Sequence, residues 1–397
     1  MARGIIIVLD SLGIGGAPDA NIFGDEDANT LQNIINFRQK KNKKTCFLEI
    51  PNLSKLGLLD SLELSKGKKN SFTFNSKATF GVGRSFSKSK DTLTGHWEIA
   101  GVTLEKDWLY FPKSTPSIPL NIINKVMSKF SINGILGNCH ASGTEIINTF
   151  GDEHLKTKKP IVYTSSDSVI QVAIHEDIIR INTLYKICEE LSKSFFPLGV
   201  SRIIARPFDG NPDQGFVRTK NRKDYSQHPP RDTLCDKVFK SGHTTYGIGK
   251  IGDIFNNRSI NTYIKGESDY KLFLGLLDCM DEFKRGDLIL ANFVEFDTLY
   301  GHRRDVEGYA NALETFDKLL PLLLKKIKKN DLLIITADHG NDPTSIGSDH
   351  TREQVPILIY KKDINLKNLG IVSFSDIAET MAKHLNIKNT NFGKSFL

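Results

Sequence analysis

The sequence predicts an α/β protein in which helices flank a mostly parallel sheet and a smaller α/β domain is inserted into the chain. Short apolar runs, typical of strands buried on both faces, occur near both ends of the chain and alternate with helical stretches. Polar residues follow these runs directly, and parallel sheets build their sites at such positions. The middle of the chain differs, because it has strands of its own, many turns and proline-rich edges.

The predicted strands of the main sheet come from the two ends of the chain. Residues 5–9 form an all-apolar run that ends at an aspartate. Late in the chain follow a strand over 288–294, an amphipathic helix over about 305–329, strands over 332–336 and 355–360, and a last helix over about 376–385. Because strands that alternate with helices pair in parallel, both ends are expected to share one sheet.

We therefore predict two domains, of which the first is discontinuous. Residues 1–104 and 228–397 form the core domain, and residues 105–227 form the inserted domain. Within the insertion, strands are expected over 161–164 and 202–205.

The charge balance gives little support to a nucleic-acid or membrane-surface partner. The 397 residues carry 53 Lys and Arg against 46 Asp and Glu, which gives a net charge of +7. The lysines fall into separate clusters and do not form one stripe. Two polar, lysine-rich segments, 38–44 and 65–77, are predicted to be exposed loops.

Hydropathy and cysteine spacing predict a reducing, cytoplasmic location. No apolar run reaches the ~20 residues that a membrane-spanning helix needs. Residues 5–9 are too short for the core of a signal peptide. The five cysteines are scattered and lack CxxC spacing, which argues against a disulfide framework and a cysteine zinc site.

Three carboxylates and three imidazoles follow the predicted strands of the main sheet. They are Asp10, Asp297, His302, Asp338, His339 and His350. Mixed oxygen and nitrogen ligands suit Mn²⁺, Zn²⁺ or Mg²⁺, and nitrogen favours the transition metals. Six ligands are about right for two metals ~3.5–4 Å apart, which bind both ends of an in-line phosphoryl displacement. Each residue alone is most often a turn or cap residue, whereas the joint pattern predicts a two-metal centre.

A candidate nucleophile lies in the polar segment 91–98, Asp-Thr-Leu-Thr-Gly-His-Trp-Glu. Coordination to a metal lowers the pKa of a threonine hydroxyl, which then attacks phosphorus without a histidine base. By spacing alone, the segment fits an ordinary helix-capping loop somewhat better.

Six segments carry a resemblance to a known family. They are 10–20, 91–98, 164–169, 205–208, 296–304 and 337–353. In this order, and from residue 5 to the C-terminus, the chain resembles the phosphopentomutases, a family of the alkaline phosphatase superfamily. The Thr-Gly-His-Trp-Glu and Asp-His-Thr-Arg-Glu sequences are specific to that family, and Asp-His-Gly is shared across the superfamily.

The resemblance implies an alkaline-phosphatase-like core with an inserted cap domain, and it implies a role for each matched residue. Thr92 matches the threonine that carries the phosphoryl group. Two Mn²⁺ ions per chain are expected. The ligands of the metal beside the threonine are matched by Asp10, Asp338 and His339, and those of the second metal by Asp297, His302 and His350.

The resemblance also implies how substrate is bound. In the cap domain, Ser165, Asp167 and Arg206 match residues on the substrate side, where Asp167 accepts hydrogen bonds from sugar hydroxyls and Arg206 pairs with the distal phosphate. Lys250 is a further basic candidate close to the phosphate.

The implied reaction interconverts ribose 1-phosphate and ribose 5-phosphate, and the 2-deoxyribose equivalents, through a phosphothreonine and a pentose 1,5-bisphosphate. A sugar bisphosphate such as glucose 1,6-bisphosphate is the expected activator. Pentose phosphates are the expected small-molecule partners, with no nucleic acid and no membrane. The expected state is a monomer, and an oligomer stays open.

Two positions depart from the family pattern. Ser89 stands where the family usually has glycine, and Glu295 replaces a usual aspartate two residues before Asp297. Two other functions stay open, namely a superfamily relative acting on another ester (a phosphoglycerate mutase, phosphatase or sulfatase) and a basic binding protein without catalysis. The sequence context of Thr92 and the modest cap favour the pentose mutase, and the presence of all six ligands argues against the binding protein.

Overall fold

A computed structural model describes residues 2–41, 48–67, 78–165, 168–362 and 367–397. The chain divides into two units. The first comprises Met1–Glu105 with His228–Leu397, and the second comprises Lys106–Gln227. Among the described residues, no helix combines the length and the apolar character that a membrane span requires.

Elements of the first unit come before and after the second unit in the chain. Before it are β1 (Arg3–Leu9), α1 (Thr30–Lys41), α2 (Pro51–Lys55), α3 (Leu58–Ser65), β2 (Thr79–Arg84) and α4 (Thr92–Ile99). The second unit contains α5 (Leu120–Ser128), β3 (Leu136–His140), α6 (Gly143–Thr157), β4 (Ile161–Thr164), β5 (Val169–His175), α7 (Ile181–Phe195), β6 (Arg202–Asn211), β7 (Gly215–Arg218) and β8 (Lys223–Ser226). After it follow α8 (Leu234–Lys240), β9 (Thr245–Ile248), α9 (Ile251–Ile254), β10 (Thr262–Ile264), α10 (Asp269–Glu282), β11 (Leu288–Phe293), α11 (Val306–Lys326), β12 (Asp331–Thr336), β13 (Val355–Tyr360), β14 (Asn368–Ser373) and α12 (Ser375–Leu385).

The sheet of the first unit has eight strands in the order β10-β9-β11-β1-β12-β13-β2-β14. Neighbouring strands run parallel, except that β13 is antiparallel to both β12 and β2. We call the edge at which β1, β11, β12 and β2 end, and at which β13 begins, the C-terminal edge. Loops at this edge carry the predicted site residues.

The strands at the centre of this sheet are buried along their whole length. β1, β11 and β12 are buried at every position, as expected for strands covered on both faces. At the opposite edge, the buried Arg3 donates to Asp331 through Nε (2.8 Å) and Nη2, and to the carbonyl oxygen of Phe283 (3.0 Å). This bidentate pair satisfies a charged group where the strands begin.

The sheet of the second unit is mixed. Its order is β3-β4-β5-β6-β7, and β8 pairs with the first half of β6. Strands β3 and β4 are parallel, as are β5 and β6, whereas β4 and β5 are antiparallel. Apolar side chains of α5 and α7 pack with those of β4, β5 and β6 in one core, so this unit has a hydrophobic interior of its own.

Most of the predicted elements are confirmed, and one detail is wrong. The predicted strands over 5–9, 288–294, 332–336 and 355–360 match β1, β11, β12 and β13 within two residues at each end. Residues 38–41, predicted as part of a loop, form the last turn of α1, where the buried Arg38 pairs with Glu307 (2.8 Å). The rest of that segment and residues 68–77 lie outside the described residues.

We expect His384 to make the protein less stable in mild acid. Its Nε2 lies 3.1 Å from the carbonyl oxygen of Asn330, and burial, followed by the charge of Lys361, lowers its pKa from 6.5 to about 4. Between these values the unfolded chain binds a proton that the folded chain does not, so the free energy of unfolding falls as the pH drops from 6.5 to 4. His384→Gln, which keeps an N–H donor, should flatten this dependence in urea titrations.

The exposed His228→Gln serves as the matched control for this substitution. An equally steep loss of stability in His384→Gln and in the wild-type protein would contradict the assignment.

Candidate active site

The six predicted metal ligands and Thr92 all belong to loops or helix starts at the C-terminal edge of the first unit. Asp10 directly follows β1, Asp297 and His302 follow β11, Asp338 and His339 follow β12, His350 precedes β13, and Thr92 begins α4 after β2. The segment after β11 makes one π-type turn over Phe296–Gly301. Parallel strands end at the same edge, and the reversed β13 begins there, so residues distant in sequence converge.

The ligand atoms form two overlapping groups that share His339. One comprises Asp10, Asp338 and His339, and the other comprises Asp297, His339 and His350; within each group the atoms lie within 4.8 Å of one another. His302 joins the second group, since its Nε2 lies 3.1 Å from Oδ2 of Asp297 and 3.2 Å from Nε2 of His350. The structure therefore brings together all six residues that the sequence analysis selected.

Two of the histidines are oriented as metal ligands usually are. Nδ1 of His302 lies 2.6 Å from the carbonyl oxygen of Ser348, and Nδ1 of His339 lies 3.0 Å from that of Gly340. An N–H that donates to a carbonyl at Nδ1 leaves Nε2 with a free electron pair. In both residues it is Nε2 that faces the carboxylates.

The aspartates are held close together in a buried environment. Burial, followed by the charges of Asp338 and Asp297, raises the pKa of Asp10 to about 7. Burial opposes ionisation of Asp338 as well, but His339 and His96 lower its pKa to about 2. Burial also raises the pKa of Asp297, but His350 and His302 lower it by more. The pKa of Asp297 therefore lies well below its usual value. The imidazoles therefore balance part of the negative charge.

Each of the two innermost aspartates has one oxygen held by the protein and one oxygen free. Oδ2 of Asp10 accepts from Nδ2 of Asn292 (2.9 Å), and Oδ1 of Asp338 accepts from the amide of Ser11 (3.1 Å). The other oxygens, Oδ1 of Asp10 and Oδ2 of Asp338, are buried and accept no hydrogen bond from the described residues. Buried carboxylate oxygens without a donor are costly, and together with imidazole nitrogens they fit a divalent transition metal.

Thr92 is placed beside the histidine that the two groups share. Its Oγ1 lies 3.1 Å from Nε2 of His339. Asp91 caps α4 by accepting from the amide of Thr94 (3.2 Å), so the helix begins at Thr92 and its hydroxyl lies at the helix N-terminus. Gly95 allows this approach, because a Cβ at that position would overlap the backbone carbonyl of Asp338.

His96 joins α4 to the predicted ligand Asp338 and is not itself one of the converging groups. Its Nδ1 lies 2.9 Å from the carbonyl oxygen of Thr92, to which it donates, and 3.1 Å from Oδ2 of Asp338. The ring is fully buried.

Sequence reasoning missed the polar residues that support the ligands. Asn292 holds Asp10, and Asn341 donates to Oδ1 of Asp297 (2.7 Å). Ser11 has a left-handed φ of 70°, which turns its amide toward Asp338 and stores strain next to the site. Asn292 had a detectable signal, because it is the polar residue in the otherwise apolar strand β11.

The two departures from the family pattern are accommodated away from the ligand atoms. Ser89 is buried, its φ is outside the left-handed region, and its carbonyl accepts from Arg352 (2.9 Å), so no glycine is required there. Oε2 of Glu295 accepts from the amide of Asp269 (3.0 Å), and Asp269 accepts in return from the amide of Glu295 (3.1 Å). Glu295 thus ties the start of α10 to the end of β11.

The predicted substrate residues lie in both units. Lys250 follows β9 at the C-terminal edge of the first unit and exerts the smallest of the charge effects on the pKa of Asp10. In the second unit, Ser165 follows β4, and the half-buried Arg206 on β6 donates through Nε to Gln171 (3.0 Å). Asp167 lies outside the described residues.

The second unit also contains a cationic group that the sequence analysis did not identify. Burial, followed by the charge of Arg222, lowers the pKa of Arg206, and the charge of Arg218 lowers it further. A Cβ on Gly143, the first residue of α6, would overlap both the guanidinium of Arg218 and the hydroxyl of Tyr163. A guanidinium near a helix N-terminus, as Arg218 is here, suits a phosphate.

A third set of side chains with metal-ligand character has a structural explanation. His175, Asp177 and Asp209 of the second unit lie close together. Nε2 of His175 lies 2.9 Å from the carbonyl oxygen of Gly210, and its Nδ1 accepts from the amide of Asp177 (3.2 Å). Because both ring nitrogens are occupied, we assign this set no metal.

Comparison with known proteins relates the whole chain to one family. A model of the Metalloenzyme superfamily matches residues 2–389. The phosphopentomutase of Chelativorans sp. (strain BNC1) is 46% identical over 403 residues, covering 100% of this chain and 98% of the relative. That of Pseudoalteromonas translucida (strain TAC 125) is 45% identical over 401 residues, again covering 100% of this chain and 98% of the relative. A solved phosphoglycerate mutase from Leishmania mexicana is 11% identical with a TM-score of 0.47, covering 99% of this chain and 97% of that one.

Asp10→Asn should make the metal-free protein more stable and should reduce the stability that the protein gains from metal. In EDTA the variant should unfold at a higher urea concentration, because one of several mutually repelling buried carboxylates is gone. In excess Mn²⁺ the wild-type protein should gain about 2.7 kcal/mol at a metal concentration 100 times its Kd, and the variant should gain less because it has lost a ligand. An equal gain from Mn²⁺ in both proteins would rule Asp10 out as a ligand.

Proposed function

The chain belongs to the phosphopentomutase family of the metalloenzyme superfamily, and on that premise we propose that it interconverts ribose 1-phosphate and ribose 5-phosphate, and the 2-deoxyribose equivalents. One observation supports the proposal above the others. The hydroxyl oxygen of Thr92 lies 3.1 Å from Nε2 of His339, the nitrogen that belongs to both ligand groups. A nucleophile at this junction can receive a phosphoryl group whose oxygens face two cations.

Six residues would hold the metals. The set next to Thr92 is Asp10, Asp338 and His339, and the second set is Asp297, His302 and His350. When bound, two divalent ions, Mn²⁺ in this proposal, lower the pKa of the threonine hydroxyl and neutralise charge on the transferring phosphoryl group.

In the proposed reaction, Thr92 carries the phosphoryl group between the two ends of the sugar. The P–Oγ1 bond of phosphothreonine breaks as a bond forms to O1 of ribose 5-phosphate, which gives a pentose 1,5-bisphosphate and returns the O1 proton to Thr92. After the bisphosphate has reoriented, a bond forms from Oγ1 of Thr92 to the 5-phosphorus as the P–O5 bond breaks, the hydroxyl proton passes to O5, and ribose 1-phosphate leaves. A sugar bisphosphate such as glucose 1,6-bisphosphate supplies the first phosphoryl group to an unphosphorylated enzyme.

We assign substrate recognition to Lys250 and to residues of the second unit, which we take to be the cap domain. Arg206, with Arg218 beside it, binds the second phosphate, for which planar guanidinium groups are well suited. Ser165 and Asp167 bind sugar hydroxyls. The buried thiols of Cys188 and Cys235 are compatible with the reducing cytoplasm that we propose as its location.

Phosphorus NMR tests the substrate assignment directly. Protein loaded with Mn²⁺ and a trace of glucose 1,6-bisphosphate should convert ribose 1-phosphate to ribose 5-phosphate with little free phosphate. A parallel sample with 3-phosphoglycerate should not change. Free phosphate as the main product would instead identify a hydrolase, and turnover of the glycerate would identify another mutase.

Thr92→Val should abolish the reaction while the protein stays folded, because valine keeps the shape of the side chain and removes the nucleophilic oxygen. A loss of more than about 10³-fold in kcat is expected, as for other covalent nucleophiles, and intact mass spectrometry should show no phosphoryl group. Thr92→Ser should retain part of the mutase activity and part of the phosphorylation. Thr315→Val, on the surface of α11, is the matched control. Mutase activity in Thr92→Val close to that of the control would refute the role of Thr92.

A further inference from the structure

Arg352 lies two residues after a predicted metal ligand, but it contacts neither a ligand atom nor Thr92. It is 4% exposed. Its guanidinium donates to both carboxylate oxygens of Asp19, at 3.0 and 2.9 Å. Nη2, which binds Asp19, is also within hydrogen-bond distance of the backbone carbonyls of Ser85 (3.2 Å) and Ser87 (2.9 Å), and Nη1 donates to that of Ser89 (2.9 Å).

These three carbonyls belong to the segment that we call the nucleophile loop, residues 85–91, which joins β2 to α4. The loop has no helix or strand of its own before Thr92. Its amides and a hydroxyl are bound from the other side by the fully buried Glu98, which accepts from Phe86 N (2.8 Å), Ser87 N (2.9 Å) and Ser85 Oγ (2.8 Å). A cation thus binds the carbonyls and an anion binds the amides, which fixes the loop without a sheet.

A further contact joins the nucleophile loop to the chain that carries His350. The backbone amide of Arg352 donates to Oδ2 of Asp25 (2.8 Å), and the same oxygen accepts from Nζ of Lys90 (2.6 Å). Arg352 therefore joins the segment of His350 to the nucleophile loop in two ways. Its side chain binds the loop directly, and its backbone amide shares Asp25 with Lys90 of the loop.

We propose that Arg352 is a positioning residue, which holds the nucleophile loop against the segment carrying His350 so that Oγ1 of Thr92 stays beside His339. Only a planar guanidinium has enough fixed donors to bind a carboxylate in two places and several carbonyls at once; lysine does not. The consequence for phosphoryl transfer rests on the proposed function. A displacement of a reacting atom by about 1 Å costs roughly 10²-fold in rate.

Arg352→Lys tests the proposal, and the protein provides a matched control in Arg3→Lys. Arg3 is also buried, also binds an aspartate through two nitrogens, and also donates to a backbone carbonyl, but it lies at the opposite edge of the sheet. Both variants remove the same chemistry, so a general loss of stability appears in both. Three quantities are compared: amide hydrogen exchange of residues 85–91, the rate of Thr92 phosphorylation by glucose 1,6-bisphosphate, and the affinity for Mn²⁺.

Arg352→Lys should raise exchange in the nucleophile loop and slow phosphorylation by roughly 10- to 100-fold, with Mn²⁺ affinity within about threefold of the wild-type value. Arg3→Lys should change none of the three. Wild-type exchange in the loop of Arg352→Lys, or equal slowing in Arg3→Lys, would overturn the proposal. A wild-type protein that takes no phosphoryl group would refute the proposed function, while the exchange comparison would still decide the role of Arg352.

Asp19→Asn provides a second variant in case Arg352→Lys does not fold. It keeps the guanidinium and its bonds to the carbonyls and weakens only the anchor behind them. Asp19→Asn should also raise amide exchange in the nucleophile loop and slow phosphorylation of Thr92, each by less than Arg352→Lys does. Unchanged exchange in the nucleophile loop counts against the proposal.

Discussion

Three carboxylates buried at one edge of a sheet impose the constraint that the loops around them satisfy. Each such charge costs several kcal/mol to remove from water, and Asp10, Asp297 and Asp338 are all nearly inaccessible. The chain offsets this cost locally: an asparagine or a backbone amide binds one oxygen of each aspartate, and three imidazoles approach the group. The oxygens that remain without a donor point to the place where a cation completes the balance. The hydrogen bonds that orient the three aspartates are thus the same ones that offset the cost of burying them.

The reversed strand β13 determines which residues can take part. Because it runs against its neighbours, the loop before it lies at the same edge as the loops after β1, β11 and β12. This loop supplies the predicted ligand His350, the guanidinium of Arg352, and the buried Glu353, which accepts from Thr30 N (2.9 Å) and Gly15 N (3.0 Å). Burial raises the pKa of Glu353 to about 7. A parallel strand in this position would have delivered its N-terminal loop to the wrong end of the sheet.

The sequence was sufficient to predict the strands and the convergence of the six predicted ligands, since both have local signatures: an apolar run, and an acidic or imidazole side chain after it. It was insufficient where the signal is not local. An apolar run such as 355–360 does not record its direction in the sheet, which here is antiparallel to both neighbours. The role of Arg352 was invisible because its partners are backbone carbonyls, which every residue has. The contribution of Asp167 stays a prediction.

The position of β1 has a consequence for the order in which the chain acquires its structure. This strand leaves the ribosome well before both of its partners, β11 and β12, which are made of residues beyond 287. The second unit is continuous in sequence over Lys106–Gln227 and can complete its core while the first strand still waits. Contacts of such high sequence separation form late and slowly. The predicted site residues after β1 and β2 therefore emerge before the second unit, and they meet the other predicted ligands only after β11, β12 and the start of β13 have been made.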